Sequence, residues 1–129
     1  EGAPVYLFMH HPPFPVGLAC LDRLGLGSDG KRIAEVIAPI ANIRHLFFGH
    51  AHRPITGSWR GIPYSTMRGT NHQVPFDFDA VAVVPKSHEQ PAYAVVFLEE
   101  RQTTVHFHDY LDTYRVPYDI KSEGRPDWE

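Results

Sequence analysis

His50-Ala51-His52 follows an apolar run, Leu46 to Phe48, that stops at Gly49. A neutral imidazole is the commonest side-chain metal ligand, and His-x-His brings two of them within reach of one ion or of two adjacent ions. Gly49 is expected to let the backbone turn as it leaves the strand. A second group, Met9-His10-His11-Pro12-Pro13, ends another apolar run, Val5 to Met9. A third, Gly69-Thr70-Asn71-His72-Gln73, sits between β-like segments. Histidines in these settings point to metal ligation and to proton donation or abstraction.

The elements that would position them can be read from pattern. Val5 to Met9 is continuous in apolar residues, as expected of a strand covered on both faces. Phe14 to Gly27 is loop-like, with a short helix possible over Leu18 to Leu24. Ser28-Asp29 offers an N-cap to a helix whose apolar positions are Ile33, Ala34, Val36, Ile37 and Ile40. His45 to Phe48 is the next strand. Strand, crossover helix, strand is the pattern of a parallel pair, and ligands of open α/β sheets collect at the C-terminal edge of such strands. His10, His50 and His52 can therefore converge although they are far apart in the chain.

Beyond Pro54 the pattern turns to antiparallel β. Two short strands flank Arg60-Gly61, a hairpin turn. Ala80 to Val84 is expected to be a strand, and Tyr93 to Leu98 pairs with Thr103 to His108 around a polar turn. Residues 112–129 read as an irregular tail. The organisation is thus one domain portion: 1–54 a βαβ unit with ligand loops, 55–111 antiparallel strands, 112–129 the tail.

Met9-His10-His11-Pro12-Pro13, Gly49-His50-Ala51-His52 and Gly69-Thr70-Asn71-His72-Gln73, in that order, resemble the C-terminal half of a calcineurin-like metallophosphoesterase. The resemblance is greatest to the branch that hydrolyses cyclic nucleotides and glycerophosphodiesters, and covers Val5 to Gln73. It implies an α/β fold, the C-terminal portion of a four-layer α/β/β/α sandwich, β-rich. It implies a dinuclear centre of Mn, Fe, Zn or Co, with His10 and His50 on one metal and His52 on the other. It also implies that His72 lies near the substrate phosphate as a catalytic group. The family's Asp-x-His, Gly-Asp and upstream Asn-His motifs do not occur here, so the chain reads as a fragment, inactive alone, that forms homo-oligomers or pairs with the missing N-terminal half. The alternative is a non-catalytic metal-binding or dimerisation fragment.

The other candidates receive blander assignments. His11 is expected to orient His10 or its loop. His106 and His108 alternate with Val105 and Phe107 and read as a surface stripe. Phe76-Asp77-Phe78-Asp79 reads as aromatics inside and carboxylates outside, and Arg53 and Arg68 as solvated. The net charge of −3 does not favour a nucleic-acid polymer as partner, and a small phosphodiester fits better. No apolar run has the length of a membrane span. The single Cys20 fits a reducing compartment, the cytoplasm.

Overall fold

A computed structural model describes residues 2–112; the expected tail beyond Asp112 lies outside them. The fold is mixed α/β and rich in strand. Strand β1 (Val5–Met9) pairs in parallel with β2 (Ile43–Phe48), with Tyr6 opposite His45 and Met9 opposite Phe48. Two helices lie between them, α1 (Ala19–Asp22) and α2 (Asp29–Ile37). β3 (Thr56–Trp59) and β4 (Ile62–Thr66) form the expected hairpin. Arg60 and Gly61 both take positive φ, 53° and 82°, the geometry that matches a two-residue turn to the strand twist. The hairpin does not stand apart from the first unit: β4 pairs in parallel with β2, giving one sheet in the order β1-β2-β4-β3. β5 (Ala92–Leu98) and β6 (Thr103–Asp109) form a separate antiparallel pair.

β2 is central, and Leu46, Phe47 and Phe48 are buried there. β1 is the edge of the described sheet. Phe8 stacks on Phe47 at 4.7 Å yet is 72% exposed, so β1 is not covered on both faces by the described residues. The core beneath the histidine loops is Leu18, Cys20, Leu21, Ala51 and Val74, with Val16, Ile55, Ala80 and Val84 packed against it.

Several local expectations are corrected. Ser28 has helical backbone angles and makes no capping bond. Helix α2 ends at Ile37, just short of Pro39, which has no N–H to continue the hydrogen-bond ladder, and Val36 and Ile40 are exposed. Residues 80–84 form no strand. Asp77 Oδ1 instead accepts bonds from the Asp79 and Ala80 amides, folding the segment into a turn that leaves Val81 and Val83 exposed. Phe76 and Phe78 lie edge to face on the surface, not inside, with the Arg53 guanidinium 4.8 Å above Phe76.

Candidate metal centre

The parallel pairing of β1 and β2 delivers His10 and His50 to the same sheet edge. The Gly49 amide donates to the Met9 and His10 carbonyls at 3.3 and 3.0 Å, fastening the two strand ends together. One ligand nitrogen from each of His10, His11 and His50 lies within 4.8 Å of the others. The loop behind them is held from below by α2. A Cβ at Gly30 would overlap the Pro13 carbonyl, so the helix reaches the His-His-Pro-Pro loop only because that residue has no side chain.

The turn after β2 is made differently from the expectation. The positive φ values fall on His50 (60°) and His52 (48°). Left-handed backbone at a non-glycine residue costs about 1 kcal/mol or more and persists only where packing imposes it. Here the packing is Ala51, 1% exposed and seated in the core between the two histidines. Gly49 serves clearance: a Cβ there would stand 3.0 Å from His10 Nδ1.

His50 has the chemistry of a ligand. Its Nε2 is buried without a hydrogen-bond partner among the described residues. Burial, then repulsion from His11, and smaller contributions from His10 and His52 hold its pKa below the ordinary value, opposed by a backbone hydrogen bond to Leu21. The ring therefore stays neutral with a lone pair available, and a buried polar atom without a partner is costly unless something binds it. Three imidazoles gathered at one point, one with an orphaned nitrogen, fit a transition ion that favours nitrogen ligands, such as Zn or Fe.

His52 stands outside this trio. Its ring stacks on His72 at 4.4 Å, and its Nδ1 lies 2.7 Å from the His72 carbonyl. A carbonyl only accepts, so Nδ1 carries a proton, and in the neutral ring Nε2 keeps the lone pair. A backbone carbonyl of the Gly69 loop thus fixes the tautomer, as metal-binding histidines commonly require. Gly69 permits the approach, since a Cβ there would lie 2.7 Å from His52 Nδ1. The pKa of His72 is lowered by desolvation and by His52, Lys86 and His88 nearby. Its neutral form is favoured, so the ring can accept a proton or donate its one N–H.

Sequence reasoning set His11 aside as an orienting residue, yet its ring is 4.2 Å from that of His50. The one signal for it was adjacency to His10. Arg53 and Arg68 are not solvated. Arg53 donates to the Val74 carbonyl at 3.0 Å, and Arg68 meets Asp109 at 2.6 Å and Glu89 at 3.6 Å. The Arg53 bond ties the loop after β2 to the loop after β4, and the Arg68–Asp109 pair ties the latter to β6. His106 is exposed, in keeping with a surface stripe; it stands opposite Val95 and meets the Phe97 ring edge-on along the diagonal of the hairpin.

No protein-family model matches the chain. Among curated proteins it is 47% identical over 127 residues to a probable cyclic nucleotide phosphodiesterase of Rhodopseudomonas palustris, covering 89% of this chain and 46% of that protein. The chain belongs to the calcineurin-like metallophosphoesterase superfamily. Two further relatives agree with the resemblance carried by the three motifs. One is a probable glycerophosphodiester phosphodiesterase of Arcobacter nitrofigilis, 29% identical over 119 residues, covering 92% of this chain and 44% of that protein. The other is the 3',5'-cyclic adenosine monophosphate phosphodiesterase of Escherichia coli K12, 28% identical over 124 residues, covering 92% and 42%. The chain spans less than half the length of these metallophosphoesterase relatives. No helix among the described residues is long and apolar enough to cross a membrane.

Proposed function

We propose that the protein is a metal-dependent phosphodiesterase, and that this chain is the C-terminal portion of its four-layer sandwich. His10 and His50, with His11 beside them, would hold one metal ion; His52 would hold a second through Nε2. The observation that carries the reading is the convergence of His10, His11 and His50 around the orphaned Nε2 of His50. Among the described residues no carboxylate joins that trio, so a bridging carboxylate would come from outside the described residues.

Two metal ions held by these residues would supply an activated water and neutralise charge on the phosphoryl oxygens. The chain's residues do the rest. Ala51 pins the loop in the core so that His50 and His52 keep their directions. The His72 carbonyl holds the His52 proton on Nδ1. The His72 ring, stacked on His52, would hydrogen-bond a phosphoryl oxygen or exchange a proton with the leaving alkoxide. The substrate class is a small cyclic nucleotide or glycerophosphodiester, the classes named for the relatives. The single buried Cys20 accords with a cytoplasmic setting.

The experiment is metal analysis and phosphodiester turnover of the complete protein with and without His50→Ala, His52→Ala. The expected result is loss of metal and activity together. Full metal occupancy in the double variant would remove the assignment.

A further inference from the structure

Gln73 is 1% exposed, and both ends of its side-chain amide are used on one residue. The Gly69 amide donates to Gln73 Oε1 at 2.8 Å, and Gln73 Nε2 donates to the Gly69 carbonyl at 2.8 Å. This pair of bonds closes the five residues from Gly69 to Gln73 into a ring. Its own backbone is anchored too, exchanging bonds of 3.0 and 2.9 Å with Ser87, while the next residue, Val74, donates to the His52 carbonyl at 3.4 Å. The ring carries the His72 carbonyl that accepts from His52 Nδ1, and it carries Gly69, whose missing side chain leaves room for that imidazole.

We propose that Gln73 is a positioning residue for His52: by clamping Gly69 it aims the His72 carbonyl, which fixes the His52 tautomer and leaves Nε2 free as a ligand. The relation of His52 to a metal rests on the proposed function; the relation of Gln73 to the tautomer rests on the hydrogen bonds alone. The geometry explains why glutamine is used. Its amide offers one acceptor and two donors, so it can satisfy an N–H and a C=O of the same residue simultaneously. A carboxylate could satisfy only the N–H, and an apolar isostere neither.

Imidazole nitrogen NMR on the metal-free, full 129-residue chain tests this at about pH 8, above the imidazole range. In the wild type, His52 is expected as a single tautomer with its proton on Nδ1. In Gln73→Leu it should become a mixture, with Gln73→Glu intermediate. Titration with Zn ions should shift the Nε2 signal of wild-type His52, at a concentration on the order of 10-fold or more below that needed in Gln73→Leu. A His52 proton found on Nε2 in the wild type overturns the proposal even if the variants fail to fold. So does an unchanged tautomer in folded Gln73→Leu, since a purely structural glutamine would alter stability without moving that signal. A wild-type His52 that ignores Zn while holding the Nδ1 tautomer would count against its ligand role and leave the clamp standing.

Discussion

Gly49 lies against the ring of His10, so closely that a Cβ there would stand 3.0 Å from His10 Nδ1 and 3.4 Å from Cε1. The strand that delivers His50 thereby also sets the position of His10. The two ligand loops form one unit, joined by backbone bonds from Gly49 to Met9 and His10.

Gly49→Ala should therefore act on metal binding more than on folding. The methyl displaces the His10 ring by a few tenths of an ångström, and the trio loses its common focus. Metal affinity is expected to fall roughly 10-fold or more, in line with other losses of ligand support. Calorimetric titration with Zn, read beside the melting temperature, checks it. An affinity equal to wild type would show that His10 does not need this seat.

Gly30→Ala should act on folding instead. The new methyl meets the Pro13 carbonyl, which is backbone and cannot swing aside. The expected destabilisation is about 1–3 kcal/mol, the range for overpacking. Urea unfolding measures it; a midpoint like that of the wild type would mean that α2 can withdraw from the loop freely.

A pH effect follows from His45. It is buried on β2, 2.9 Å from Ser65 Oγ and stacked on Phe47, and burial lowers its pKa from the ordinary 6.5. The folded state thus disfavours the charged ring. The contribution is fully present above the unfolded value of 6.5 and is lost as pH falls from there through the lower folded value. His45→Gln should flatten the acid side of the stability curve relative to wild type. Parallel curves below neutrality would contradict it.

How much could be read from sequence followed the range of the interactions. β1 and β2 were legible because runs such as Val5 to Met9 allow little else, and the Arg60-Gly61 hairpin because the turn is local. Ala80 to Val84 has the composition of a strand, but the carboxylate of Asp77 offers the Ala80 amide a nearer partner. Phe76 and Phe78 alternate with aspartates as strand residues do, and nothing in the alternation reveals that no sheet pairs with them. Arg53 and Arg68 were misread as solvated because Glu89 and Asp109, their partners, are distant in sequence. The convergence of His10 and His50 was foreseeable from parallel strand ends. The place of His11 was not, because it depends on how the chain turns after β1.

His72→Ala should separate binding from turnover. Its carbonyl remains to hold His52, so the metals should stay while the ring's hydrogen bond to substrate is lost. Turnover of the complete enzyme is expected to fall on the order of 10²-fold, the usual effect of deleting an acid, base or oxyanion donor. Unchanged kinetics across phosphodiester substrates would make His72 a loop residue only.

His10 and His50 are proposed to share a metal ion in a phosphodiesterase centre of which this chain supplies part. The most direct measurement is a Zn titration of the 129-residue chain followed at each imidazole nitrogen, with bis(p-nitrophenyl) phosphate hydrolysis assayed on the same samples. The His10 and His50 signals are expected to move together, at weak affinity, without hydrolysis. His10 and His50 signals indifferent to the metal at saturation, or brisk metal-dependent hydrolysis by this chain as a monomer, would contradict it.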